Sequence, residues 1–160
     1  MIHTRPAFVF HPAYEIDIGK HVFPTEKFRL IKESLLDQRL VSEEEIKTPE
    51  IASNEELLSV LTSDYLNDLN SYKHTPQTQR SELPMSRSIV EGVKHTAGGS
   101  IMSARLALEI GACCHIGGGF HHGFHDHAEG FCYINDVAVA AKVMVDEGLC
   151  QKVAIIDTDV

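Results

Sequence analysis

The stretch that most restricts the fold is the last third of this 160-residue chain. "ACCHIGGG" reads as a short apolar strand running into a glycine turn. "DVAVAAKVMVDEG" reads as a nearly all-apolar helix over 136–147, stopped by Gly148. "KVAIIDTDV", 152–160, is a β-branched strand whose apolar run gives way to acids. Two buried strands joined through a helix make a βαβ unit, and strands connected that way pair in parallel. The expected fold is therefore α/β, a parallel sheet flanked by helices on both faces. Ligands of such sheets sit beyond the carboxyl ends of the strands. The two chemically unusual pieces, "GGGFHH" and the pair Asp157 and Asp159, both follow strand ends, so they are expected to meet in space. The last strand stops at Val160 with no helix behind it, and an uncovered apolar strand is a liability. The sequence is accordingly expected to be the N-terminal part of something longer.

Upstream, "AFVFHP", 7–12, reads as a short buried strand ended by Pro12. Phe28, Ile31, Leu35 and Leu36 recur at helical spacing after Pro24, so a helix is expected from about Thr25. Ser53 and Glu56 form a capping box ahead of "LLSVL", and Asp64, Tyr65 and Leu66 open another short helix. Residues 73–87 are polar and carry two prolines, which predicts a surface excursion. After Gly98 and Gly99 a helix runs to Gly111, and its small residues suggest close packing on a sheet.

Charge narrows the choice of partner. The net charge is -9, and an acidic chain gains no counterion-release energy from a polyanion, so direct nucleic-acid binding is not expected. A basic partner such as a lysine-rich tail is compatible. Cys113, Cys114, Cys132 and Cys150 contain no C-x-x-C and do not resemble a disulfide framework. A reducing compartment is expected, cytoplasmic or, in a eukaryote, also nuclear. No apolar run approaches the ~18 residues of a membrane helix, so no membrane association is expected.

The triple glycine could cradle a phosphate, but that chemistry wants a glycine pattern leading straight into a helix, usually with a lysine. Here the helix begins some 16 residues later. A sharp turn that leaves room for a substrate is the better reading. His121 and His125 stand four apart, yet Gly123 and the absent apolar periodicity argue against a helix presenting both to one metal. Adjacent side chains make a poor chelate, so His121 and His122 suit proton transfer, since imidazole titrates near neutral pH. His125 and His127 read as structural or exposed. Asp157 and Asp159 point the same way if extended, and two such carboxylates call for a cation or a histidine between them. The competing reading is an ordinary helix cap after the strand.

Taken together, "GGGFHH", "EGFCYIND" and a buried strand ending "IDTDV" resemble the zinc-dependent histone deacetylase family, which shares its fold with arginase. "HVFPTEKF" and the triple glycine look most like its class IV and bacterial branch. The resemblance implies that residues 1–160 are the N-terminal part of a single deacetylase domain. It implies His122 as the base that deprotonates a metal-activated water and His121 as the second imidazole. Asp157 would hold the His121 ring and help bind a monovalent cation, potassium; Asp159 would be a zinc ligand. Gly130 would accept a hydrogen bond from the substrate amide, Phe131 would wall a tunnel for the lysine stem, and Cys132 would lie nearby without a catalytic role. The implied substrates are acetylated lysine of histones or other proteins, with acetylated polyamines or another small acetylated amine as the alternative. A deacetylase-like binding module is a further alternative, although binding alone needs no proton shuttle. The family's zinc site is Asp, His, Asp, of which this chain holds one, and its transition-state tyrosine lies downstream. The 160 residues alone are therefore expected to bind zinc poorly and not to turn over substrate.

Overall fold

The computed structural model describes residues 5–159. Its sheet has three parallel strands in the order β2-β1-β3: β1 is Ala7–Val9, β2 is Ile46–Lys47 and β3 is Cys113–His115. The register pairs Phe8 with Ile46 on one side and with Cys114 on the other. The sequence reading missed β2, which is two residues long and too short to show periodicity. After β1, Pro12 starts a 3-10 turn, Pro12–Tyr14, because its fixed φ suits a turn and it has no N–H for a ladder.

The described residues form five α-helices: α1 Lys27–Asp37, α2 Asn54–Leu58, α3 Ser63–Asn70, α4 Arg87–Ile110 and α5 Asp136–Asp146. Helix α1 lays Phe28 and Leu35 against Phe8 of β1 and Ile46 of β2. Helix α4 packs against β1 and β3, and against α5 through Ile101, Val139, Ala140 and Val143. The parallel sheet is thus covered by helices, as expected. Each fully buried aliphatic side chain in this layer, such as Ile89, Ile101 or Val139, stabilises the fold by roughly 1.5–3 kcal/mol. The capping box is present at α2, where Ser53 accepts from Glu56 N at 3.1 Å and the Glu56 carboxylate accepts from Ser53 N at 2.8 Å.

Two expectations need correction, and a third needs refinement. Helix α4 does not begin after the glycine pair but at Arg87, capped by Ser86. Gly98 and Gly99 lie mid-helix because nothing larger fits: a Cβ at Gly98 would stand 2.0 Å from Glu50 O, and one at Gly99 2.1 Å from the Tyr14 hydroxyl. Residues 73–87 run over the surface with most side chains exposed, as expected, but the segment is anchored at Thr78, Ser81 and Leu83. Thr78 and Ser81 are fully buried, and the segment's carbonyls serve another loop: Gln77 accepts from Ala128 N, Ser81 from Phe131 N, and Leu83 and Pro84 from the Tyr133 hydroxyl. Its polar side chains meet solvent while its backbone carbonyls satisfy donors of the neighbouring loop. Residues 152–159 form no strand. They have no ladder hydrogen bonds, and Val153, Ile155 and Ile156 are 47%, 60% and 88% exposed. Local β-propensity cannot make a strand without a partner in register. Among the described residues no helix is long and apolar enough to cross a membrane.

Candidate active site beyond the end of β3

The chain leaves β3 through Gly117, Gly118 and Gly119, with φ of +144° at Gly117 and +98° at Gly119. A Cβ at Gly117 would meet the Tyr14 ring at 2.3 Å. One at Gly118 would lie 2.4 Å from His115 Nδ1 and 2.7 Å from Asp136 Oδ2. The turn is therefore drawn onto two polar groups, the half-buried His115 and the buried Asp136. Asp136, 1% exposed, accepts from Phe120 N at 2.7 Å, from Gly119 N at 3.1 and 3.2 Å, and from the Ser100 hydroxyl. Burial pushes its carboxyl above the usual carboxylate range, against the pull of these donors. Sequence reasoning did not single out Asp136. The signal was present: Asn135 caps α5 by accepting from Ala138 N at 2.9 Å, which leaves the following acid free for another task.

The next residues are the histidine pair. The rings of His121 and His122 have centroids 4.1 Å apart and are tilted by 46°. His121 Nδ1 lies 3.1 Å from Gly119 O and 3.6 Å from Asp157 Oδ2, and Nε2 lies 3.8 Å from Asp159 Oδ2. Its carbonyl accepts from Asn135 Nδ2 at 2.9 Å. The histidines and the C-terminal acids do meet, as expected, although the strand on whose end that expectation placed the acids does not form. Asp157 Oδ1 accepts from Asp159 N at 2.9 Å, which keeps both side chains on the His121 side.

Gly130 lies flush on His122, where an added Cβ would come within 2.9 Å of ring Cγ. Gly130 and Phe131 both occupy the left-handed region, with φ of +48° and +65°. For phenylalanine that conformation costs of order 1–3 kcal/mol. It is held by Phe131 N donating to Ser81 O at 3.1 Å, and the ring meets His21 edge-on at 4.6 Å. Cys132 is buried beneath this turn, and burial pushes its thiol up to about 11, which makes it a weak nucleophile. His121, His122, Gly130, Phe131, Asp157 and Asp159 all line one cavity of about 630 Å³. Lys27 lines it too, its ammonium 3.7 Å above the Phe23 ring; desolvation lowers its pKa and Asp159 partly offsets that. His125 is largely exposed, while His127 stacks on Phe124 at 4.3 Å with Nδ1 2.6 Å from Asp126.

Among the described residues no three histidine, cysteine or acidic side chains converge to hold a metal. Asp159 offers a hard oxygen ligand suited to one corner of a zinc site.

A parallel α/β sheet thus carries an imidazole pair and two carboxylates around one cavity. Residues 21–160 match the histone deacetylase domain, and the chain belongs to that family. It is 37% identical to an uncharacterized protein of Picosynechococcus, over 95% of this chain and 51% of that protein. It is 32% identical to the acetoin utilization protein AcuC of Staphylococcus aureus, over 88% of this chain and 39% of the relative. The crystal structure of an HDAC homolog from Aquifex aeolicus superposes with a TM-score of 0.71 at 25% identity, over 91% of this chain and 42% of that one. The chain thus spans about half the length, or less, of the relatives it matches.

Proposed function

We propose that this chain is the N-terminal part of a single metal-dependent deacetylase domain, which hydrolyses the acetamide of acetylated lysine in histones or other proteins. The observation that carries the reading is the convergence of His121 with Asp157 and Asp159, beside His122, on one cavity walled by Phe131. In this reading His122 removes the proton from the attacking water. His121, with Asp157 and Asp159 within 4 Å of its ring nitrogens, stabilises the charge that develops and returns a proton to the leaving amine. The Gly130 carbonyl accepts from the substrate N–H, and Phe131 lines the path of the aliphatic stem. Zinc, bound in part by Asp159, would polarise the acetyl carbonyl and lower the pKa of water. Asp157 would also contribute to a potassium site. The 160 residues alone are proposed to be inactive, and a cytoplasmic setting suits the four free thiols.

The test compares an acetyl-lysine peptide with an acetylated polyamine as substrates of the full-length protein, with and without chelator. Chelator-sensitive release of acetate is expected. His122→Ala should lower kcat by roughly 10²–10⁴-fold. Preference for the polyamine would move the substrate to the small-amine class, and tight binding of both with no hydrolysis by the metal-loaded protein would make it a binding module.

A further inference from the structure

We propose that Asp136 is a positioning residue. Its carboxylate terminates a one-way chain of hydrogen bonds from Tyr14 through the Nδ1–H tautomer of His115 and Ser100, holds the Gly119–Phe120 backbone, and thereby aims His121 into the cavity.

The direction of the chain follows from which atoms can donate. The carboxylate faces two backbone N–H groups, of Gly119 and Phe120, which have no alternative but to donate. An ionised carboxylate only accepts, so the Ser100 hydroxyl must donate to Asp136 Oδ2. That hydroxyl also lies 3.0 Å from His115 Nδ1, and with its proton committed to Asp136 it can only accept there. Nδ1 therefore carries the ring proton. Burial holds His115 down at about 4, so the ring is neutral and has one N–H to place. Nε2 is left as an acceptor, and the Tyr14 hydroxyl 2.9 Å away donates to it. A protonated Asp136 would reverse every step: the acid would donate to Ser100, Ser100 to Nδ1, and His115 would carry its proton on Nε2.

The link to His121 is short. Gly119 is fixed by its N–H to Asp136, and its carbonyl receives His121 N at 2.9 Å and stands 3.1 Å from the ring Nδ1. Both the backbone and the ring of His121 are thus referenced to one peptide that Asp136 holds. Gly118 has no room for a side chain because His115 and Asp136 occupy the space.

The catalytic half of this inference rests on the deacetylase reading, and the tautomer half does not. Full-length protein labelled with ¹⁵N-histidine reports the His115 tautomer by long-range ¹H–¹⁵N correlation, and Nδ1–H is expected. In Asp136→Asn the side-chain oxygen must still serve the two amides, which turns the NH₂ toward Ser100. The chain then reverses, His115 switches to Nε2–H, and kcat falls about 10–100-fold with KM changed less than about twofold. An Nε2–H tautomer in the unsubstituted protein, an unchanged tautomer in Asp136→Asn, or an unchanged kcat would overturn the proposal. Should Asp136→Asn fail to fold, Tyr14→Phe decides: Nδ1–H must persist if Asp136 sets the tautomer through Ser100, and a switch overturns it. An unsubstituted protein that hydrolyses no acetylated amine sinks the deacetylase reading alone, because the tautomer still decides the hydrogen-bond chain.

Discussion

The two sides of the cavity are built differently. The glycine–histidine side, residues 117–135, is tied down at many points: Gly119 and Phe120 to Asp136, His121 to Asn135, Ala128 to Gln77 and Phe131 to Ser81. The acidic side, residues 152–159, is exposed and free of ladder hydrogen bonds, with Asp159 N bonded to Asp157 Oδ1. Yet the second side brings the carboxylates within 4 Å of His121. The backbone that carries the imidazoles is thus held by hydrogen bonds, with His121 half-buried and His122 exposed, whereas the acids reach them from a segment that packs little. Preorganisation of charge is what an active site needs, and here only one side supplies it from within.

Substitution at the tied-down side should have the largest effect. Gly118→Val puts a side chain into the space of His115 Nδ1 and Asp136 Oδ2, and should cost about 3 kcal/mol of stability by urea unfolding. A loss under ~1 kcal/mol would mean that this turn is looser than the geometry requires.

Acid should act on the same side next. His115 is held at about 4 against an ordinary value of 6.5. As pH falls through 6.5 the unfolded chain takes up a proton that the folded chain refuses until about 4. The unfolded state binds more protons in that window, so stability falls on acidification across it, by at most ~3 kcal/mol. Asp136, raised by burial, has the opposite sign and offsets part of this. His115→Gln should therefore flatten the difference between unfolding midpoints at pH 7 and pH 4.5; equal slopes in both proteins would refute the assignment.

Arg80→Ala removes an exposed ion pair to Glu129 at the outer edge of the loop and should cost about 0.5 kcal/mol by the same measurement. The smallest effect belongs to the other side: Ile156→Ser, at a residue 88% exposed, should shift stability by less than about 0.5 kcal/mol. A loss of ~2 kcal/mol or more would show Ile156 packed like the buried strand its composition announces, and the contrast between the two sides would vanish.

Part of this was legible in the chain itself. The apolar helix after Asn135 follows from local patterning, because helix periodicity is recorded in neighbouring residues, whereas the parallel sheet and the meeting of His121 with Asp157 and Asp159 were expected from a strand at 152–160 that does not form. Other features depend on groups far apart in sequence. Nothing near Gly98 says that Glu50 O will lie against it, and nothing in 73–87 says that its carbonyls will receive the N–H groups of Ala128 and Phe131. Tyr14, Ser100, His115 and Asp136 come from four separate elements and become one hydrogen-bonded line when α4 packs on the sheet. The strand expected at 152–160 shows the same limit from the other direction. Residue type sets a preference for extended backbone, but only a partner within hydrogen-bonding distance turns that preference into a strand.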